Sequence, residues 1–154
     1  MKRVTKKVAA VIFALGMTAS LSSCIKDVDN SVSPQTGTAT IKGRIQAELN
    51  TTNADLEPLA NQTVYVFVDS KAYAQSPGNT TYPKKRFQTT TNAEGDYTVD
   101  IEVPLNGVAV EVTVPGFIYN VVTPGGLQRT TFNERTQGAG QAKDGSVLIL
   151  DINM

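Results

Sequence analysis

The chain has 154 residues, of which 40% are hydrophobic, 18% charged and 6% aromatic, with no His, no Trp and one Cys. This length suits one domain. The lack of histidine excludes catalytic triads and zinc sites that use imidazole, and a single cysteine excludes internal disulfides and cysteine-cluster metal sites. We therefore expect neither a metal site nor a cofactor.

The formal net charge is zero, with 14 basic and 14 acidic residues, but the charge is unevenly distributed. The first 23 residues hold four basic residues and no acidic one. The other 131 residues hold 10 basic and 14 acidic side chains, a net charge of about −4. A domain of this charge is poorly suited to hold nucleic acid by bulk electrostatics, so no nucleic-acid partner is expected.

The N-terminus has the pattern of an export signal. Four basic residues precede an apolar run of about 14 residues from Val8 to Leu21. A bilayer-spanning helix needs about 20 apolar residues, so this shorter run fits the apolar region of a signal peptide. The sequence predicts a signal peptide over residues 1–23.

The apolar run ends in Leu21-Ser-Ser-Cys24. This segment resembles the bacterial lipobox, a hydrophobic residue and two small residues followed by cysteine. The resemblance implies that the Cys24 thiol receives a diacylglycerol, that a peptidase cuts just before Cys24, and that the new amine is usually acylated. Several acyl chains, at about 0.8 kcal/mol per buried methylene, would hold the protein stably on a membrane. An ordinary signal peptide with a nearby cysteine is the alternative.

Residues 24–37 are polar, include Pro34 and Gly37, and lack a sustained apolar period. They are predicted to be a flexible tether between the membrane and the rest of the chain. Cys24 is followed by Ile25, whereas an aspartate there would resemble the inner-membrane retention signal of some Gram-negative bacteria. We expect a lipid-anchored outer-membrane protein, and the choice between a periplasmic and a surface-facing position stays open.

Residues 38–154 alternate apolar and polar residues with a period of two, and no stretch has a helical period. The clearest predicted strands are 39–49, 64–68, 97–103, 108–114 and 147–152. Weaker strands are predicted at 86–90, 117–122 and 129–132, with long loops at 70–83 and 123–144. Seven or eight short strands with turn signals between them predict an all-β fold, a single β-sandwich.

Several segments resemble a known family. They are Gly43 in the first strand, Leu-Ala-Asn-Gln-Thr-Val-Tyr-Val at 59–66, Thr-Thr-Asn-Ala-Glu-Gly-Asp-Tyr at 90–97 and Val-Thr-Val-Pro-Gly-Phe at 112–117. Together they look like a carboxypeptidase regulatory-like domain, which has a transthyretin-like (prealbumin-like) seven-strand Greek-key sandwich. The resemblance covers roughly residues 39–117. It implies an adhesive, spacer or binding module without chemistry of its own.

The strand at 64–68 carries the first candidate binding residues, Tyr65 and Phe67. If the valines of this strand face the core, alternation places both aromatic side chains on the opposite face. So much apolar area needs a cover. Either a long loop supplies it, or a partner protein or glycan does.

The second candidate is a basic cluster of Lys84, Lys85 and Arg86 at the end of a predicted loop. These side chains could reach an anionic glycan or a lipid A phosphate. A solvated start of a strand, protected by charge from aggregation, is the alternative.

Two groups of polar and acidic residues are candidates for metal binding or catalysis. Asn92, Glu94 and Asp96 have the spacing of Ca²⁺ ligands, but the sixth and twelfth positions of the loop hold Tyr97 and Val103. An EF-hand requires glycine and glutamate there, so the template fails and a solvated hairpin turn is expected.

The second group, Asp100, Glu102 and Glu111, could be read as a carboxylate pair for glycoside hydrolysis. Ion pairs with Lys42 and Arg44 on a neighbouring strand are the expected arrangement instead. Because no pairing of nucleophile and base is visible, the sequence predicts that the chain is not an enzyme.

The leading hypothesis is a non-catalytic outer-membrane lipoprotein that serves as a binding or assembly module of a cell-surface complex, in glycan capture or attachment. The alternative is a minor pilus or fimbrial subunit, since many of these are also lipid-modified β-sandwiches. A pilus subunit should co-purify with fibres, whereas a binding module stays monomeric once its lipid is removed.

Overall fold

The computed structural model describes residues 35–53, 55–74, 78–79 and 81–154. Cys24 and the predicted signal peptide lie outside the described residues. The strands of the described chain are β1 (Thr36–Ala47), β2 (Glu57–Pro58), β3 (Thr63–Asp69), β4 (Lys84–Thr90), β5 (Asp96–Pro104), β6 (Val108–Val114), β7 (Phe117–Thr123), β8 (Gly126–Phe132), β9 (Arg135–Ala142), β10 (Val147–Ile149) and β11 (Ile152–Asn153).

The first sheet is built around β1. Strand β5 pairs antiparallel with β1 from Thr36 to Arg44, and β10 pairs parallel with residues 40–42 on the opposite edge. Near its C-terminal end β1 also pairs with β11 and β2. Strand β1 is therefore the central strand of this sheet, and Ala39, Ile41 and Ile45 on its inner face are fully buried.

The second sheet has the order β4-β3-β6-β9, and its neighbouring strands are all antiparallel. A β-bulge interrupts the pairing of β6 with β9 between Val110 and Glu111. Valines recur at every second position of β3 and β6, and they all point to one face because side chains alternate along a strand.

The inner faces of the two sheets pack against each other and form one apolar core. Its buried members are Ala39, Ile41, Ile45, Ala47, Leu59, Val64, Val66, Val68, Tyr97, Ile101, Val103, Val108, Val110, Val112, Val114, Ala142 and Ile152. The predicted all-β sandwich is confirmed. The transthyretin-like Greek-key order of the strands stays a prediction.

Strands β7 and β8 form a separate two-stranded hairpin beside the sandwich. The rings of Phe117 and Phe132 stack at its base, with their centroids 4.9 Å apart. Backbone hydrogen bonds join Val122 to Leu49 and Thr51, just after the end of β1. Within the described residues, no helix has both the length and the hydropathy to cross a membrane.

Two sequence-based predictions of the strands need correction. Residues 123–144, predicted as a long loop, contain the whole of β8 and β9. These strands lack an apolar alternation because most of their side chains are exposed. The predicted last strand is divided into β10 and β11 at Leu150 and Asp151. The carbonyl oxygen of Leu150 accepts a hydrogen bond from the Tyr97 hydroxyl, and the carboxylate of Asp151 accepts one from the backbone N–H of Arg44.

Candidate functional site

Tyr65 and Phe67 lie on the outer face of the second sheet, as the alternation in β3 predicts. Between them, Val66 is fully buried in the core, whereas both aromatic side chains are half-buried. Their ring centroids are 6.2 Å apart and the rings are tilted by 54°. The two rings therefore form a contiguous apolar strip along one strand.

Polar side chains flank this strip on both sides. Arg86 and Gln88 of β4 stand opposite Phe67 and Tyr65, and so do Glu111 and Thr113 of β6. Directly opposed residues of antiparallel strands share a face of the sheet. The surface so defined, called the aromatic face below, consists of Tyr65, Phe67, Asp69, Lys84, Arg86, Gln88, Glu111 and Thr113.

Arg86 is an exposed cation of the aromatic face, on the edge strand β4. Its guanidinium carbon lies 5.0 Å from the centroid of the Tyr65 ring, within the range of a cation–π contact. Among the described residues it forms no ion pair with a carboxylate. Arg86 thus covers part of the Tyr65 ring while its charge remains available to a ligand.

The structure divides the three basic residues of the predicted cluster between two faces. Lys84 stays on the aromatic face, where its ammonium forms an ion pair with Glu111. Lys85 points to the other side of β4 and bonds Glu102 of the first sheet at 2.5 Å. Its ammonium also lies 4.9 Å from the centroid of the Tyr73 ring. The cluster is therefore not one cationic site, because successive residues of a strand face opposite ways.

The carboxylates considered as a hydrolytic pair lie on different sheets. Glu102 lies on the outer face of the first sheet and Glu111 on that of the second. Each is engaged by a lysine, and the hydrogen bond from Lys85 is the main cause that lowers the pKa of Glu102. Ion pairing is confirmed for both, but the expected partners, Lys42 and Arg44, were wrong.

Arg44 binds a different carboxylate. Its guanidinium donates to both oxygens of Asp96, at 2.6 and 3.1 Å. This hydrogen-bonded pair lowers the pKa of Asp96. The third acidic residue of the group, Asp100, accepts a 2.7 Å hydrogen bond from the hydroxyl of Thr40. All these contacts are exposed, so each contributes little to stability.

The turn at Asn92 is a structural feature of the hairpin that joins β4 to β5. The Asn92 carboxamide oxygen accepts hydrogen bonds from the backbone N–H groups of Glu94 and Asp96. Gly95 has a φ of +75°, as expected for a glycine in this turn. The part of the chain that the structure describes contains no cluster of three or more acidic or cysteine ligands able to hold a metal ion.

Sequence reasoning missed a hollow of about 450 Å³ on the outer face of the first sheet. It opens where β10 and β11 separate, and is lined by Lys42, Gly43, Arg44, Gln46, Asp96, Tyr97, Thr98, Ile149 and Asp151. Most of its charged groups already have partners. Asp96 forms an ion pair with the Arg44 guanidinium, and one carboxylate oxygen of Asp151 accepts a hydrogen bond from the backbone N–H of Arg44. The hollow is therefore a weaker ligand site than the aromatic face. No sequence pattern marks it, because it depends on a break between strands.

No protein-family model matches the chain, and no curated protein sequence matches it. Among solved structures, the chain is similar to the dioxygenase domain of a dioxygenase–carbohydrate-binding protein fusion from Streptomyces sp. SirexAA-E. The two are 15% identical, the match covers 80% of this chain and 82% of that one, and the TM-score is 0.39.

This comparison contradicts the prediction that the chain is not an enzyme, because the similar structure is itself an enzyme domain. That prediction relied on the lack of a motif, whereas catalytic groups are brought together by folding from positions distant in sequence. The likeness is too low to carry the dioxygenase's activity to this chain.

Proposed function

We propose that this chain is an outer-membrane lipoprotein whose β-sandwich binds an anionic glycan through the aromatic face, as part of a cell-surface complex. The observation that carries the proposal is the placement of Tyr65 and Phe67, two half-buried rings on the outside of a sheet with Arg86 beside them. Aromatic side chains left on a surface in this way are typical of recognition sites.

The chemistry of the aromatic face suits a sugar. The C–H face of a pyranose ring packs on an aromatic ring, and its hydroxyl groups need donors and acceptors around that contact. Arg86 supplies donors, and Gln88 supplies both a donor and an acceptor. The hydroxyl of Thr113 is already bonded to that of Thr136 at 2.8 Å, so it is less available.

Arg86 is the group of the aromatic face that would recognise an anionic ligand. Lys84 forms an ion pair with Glu111, and Asp69, which stands opposite Lys84, accepts a hydrogen bond from the Lys71 N–H group. Arg86 is thus the charged side chain of this face whose guanidinium has no carboxylate partner among the described residues. A planar guanidinium binds carboxylates with two parallel hydrogen bonds. A glycan that contains uronic acid units would therefore place a carboxylate at Arg86 and a sugar ring at Phe67.

The anchoring half of the proposal is supported by Leu21-Ser-Ser-Cys24 after a basic and apolar segment. Eleven residues separate Cys24 from Thr36, the first residue of β1. Fully extended, such a segment spans about 40 Å, which is enough to present a small domain above a membrane.

The binding half is tested with the full-length protein in detergent on an array of neutral and uronic-acid oligosaccharides. Phe67→Ala and Arg86→Gln should each weaken binding to acidic glycans at least tenfold. The matched control is Tyr119→Ala, since Tyr119 is an exposed tyrosine on the hairpin; it should leave that binding unchanged. If wild type binds no glycan on the array, or if the control weakens binding as much, the glycan proposal is wrong.

The anchoring half is tested in cells. Cys24→Ala should abolish incorporation of labelled palmitate and release the protein from the membrane fraction, because it removes the thiol that carries the lipid. Palmitate retained in this variant would refute the assignment. Fibres or SDS-resistant ladders that contain the wild-type protein would favour the pilus alternative.

A further inference from the structure

The hairpin of β7 and β8 exposes an apolar surface that the glycan proposal does not use. On one face, Ile118, Val122 and Leu127 are 53%, 41% and 75% exposed. Val122 stands directly opposite Leu127, and Asn120 stands opposite Arg129 in the centre. This surface, Ile118, Asn120, Val122, Leu127, Arg129 and Thr131, is called the hairpin face. Exposed apolar side chains gathered on one face are typical of protein-binding sites.

The outer edge of the hairpin is also available for pairing. Among the described strands, β8 pairs only with β7, along seven residues without a bulge. Proteins usually protect an exposed edge with charged side chains, lysine above all, or with proline, a bulge or a very short strand. Strand β8 has one such charge, Arg129. Strand β8 contains neither lysine nor proline, and its register is regular from Gly126 to Phe132. Its backbone can accept an additional strand, as in β-augmentation.

The charge of the hairpin selects among occupants. Arg129 is the only charged residue in either strand, and among the described residues it has no ion-pair partner. Antiparallel pairing of β8 with β8 of a second copy, centred on the strand, would place two Arg129 side chains opposite each other. Like charges directly opposite are destabilising, so a second copy fits poorly.

A lipid surface also fits poorly. Surfaces that bind membranes usually carry several lysines or arginines around their apolar residues, whereas the hairpin has one. In addition, the hairpin bonds Leu49 and Thr51 beyond the C-terminal end of β1. The segment that bears Cys24 joins β1 at Thr36, the opposite end of a 12-residue strand. A strand of that length extends about 40 Å.

We infer that the hairpin binds an extended segment of a partner protein, which adds a strand to β8 and carries a carboxylate opposite Arg129 between apolar side chains. The backbone of β8 supplies the hydrogen bonds, Leu127 and Val122 supply the apolar contact, and Arg129 fixes the register. This inference does not depend on glycan binding.

The test uses the full-length protein and two fluorescent nine-residue peptides of alternating valine and threonine, one with a central glutamate and one with a central lysine. Wild type should bind the glutamate peptide at least tenfold more tightly, and Arg129→Glu should reverse that preference. Leu127→Thr should weaken binding at least tenfold, and the glutamate peptide should protect amides of β8 from hydrogen exchange. The matched control is Ile149→Thr, at a 67% exposed position on the edge strand β10, and it should have no effect.

Equal binding of the two peptides, no binding by either, or an equal loss in Ile149→Thr would overturn the inference. A dimer in sedimentation that Leu127→Thr dissociates would assign the hairpin face to a second copy and also overturn it. Binding to phosphatidylethanolamine–phosphatidylglycerol vesicles that depends on Leu127 would do the same in favour of lipid.

Discussion

The hydroxyl group of Tyr97 donates a 2.8 Å hydrogen bond to the carbonyl oxygen of Leu150. This bond joins β5 to the break between β10 and β11, across Gly43 of the central strand. A Cβ atom at Gly43 would lie 1.8 Å from the same carbonyl oxygen, so only glycine allows the approach. Tyr97 is 2% exposed, so its hydroxyl group needs a hydrogen-bond partner within the protein. The Leu150 carbonyl is that partner.

Tyr97→Phe should lower the free energy of unfolding by about 1 kcal/mol, because the Leu150 carbonyl loses its partner while the packing of the ring is kept. Urea unfolding of the full-length protein measures the change. The control is Tyr119→Phe, at a position 45% exposed, which should stay within about 0.5 kcal/mol of wild type. An unchanged stability of Tyr97→Phe would show that water replaces the hydrogen bond.

The same residue predicts a loss of stability in alkali. Burial, with a smaller contribution from Asp151, raises the pKa of Tyr97 well above its usual value of 10. The folded state therefore holds this proton after the unfolded chain has released it. The contribution of Tyr97 to the free energy of unfolding is therefore constant below about pH 10. Above that pH it falls by about 1.4 kcal/mol per pH unit. Tyr97→Phe should not show this alkaline loss of stability. If the free energies of unfolding of wild type and Tyr97→Phe fall in parallel above pH 10, the assignment to Tyr97 is wrong.

Adjacent lysines give a pH prediction for the first sheet. The hydrogen bond from Lys85, with one from Thr36, holds the pKa of Glu102 below its usual range. Carboxyl titration by NMR should show this pKa rising toward its ordinary value in Lys85→Met. Since Lys84 binds Glu111 on the opposite face, Lys84→Met should leave the titration of Glu102 unchanged. The contribution of the pair is present at neutral pH and is lost as pH falls through the lowered pKa. Equal effects of the two variants would refute the division of the basic cluster.

Gly95 is required by the turn between β4 and β5. Its φ is +75°, and a Cβ atom there would lie 2.6 Å from the carbonyl oxygen of Ile45. Gly95→Ala should therefore lower the free energy of unfolding by about 2 kcal/mol, since a left-handed conformation costs a residue with a Cβ about 1–2 kcal/mol before the clash is counted. Gly138→Ala, where a Cβ meets no atom within 4 Å, is the control and should be close to neutral.

Much of the sandwich was predictable, because its core strands alternate. Val64, Val66 and Val68 identified the inner face of β3, and the same alternation placed Tyr65 and Phe67 outside. Strand β9 was not predictable, since its sequence, Arg-Thr-Gln-Gly-Ala-Gly-Gln-Ala, has no apolar period. It is held by backbone hydrogen bonds to β6, and a single sequence does not reveal such bonds.

The candidate site was predictable only in part. Alternation along β4 places Lys85 on the opposite face from Lys84 and Arg86, although the three residues are consecutive in sequence. The partner of Lys85 is Glu102, in the other sheet, and no local pattern predicts a contact between sheets. The hairpin face escaped notice because Leu127 and Arg129 lie in a polar stretch rich in glycine and threonine, where pairing with β7 alone makes them a surface.

The mass of the protein extracted from the membrane fraction shows whether a lipid on Cys24 holds this sandwich at the cell envelope. We expect the mass of residues Cys24 to Met154, 131 residues, with the added mass of a diacylglycerol and usually one further acyl chain. A membrane-bound protein that retains residues 1–23 would contradict lipidation of Cys24. A protein that lacks residues 1–23 but has a free Cys24 thiol would also contradict it.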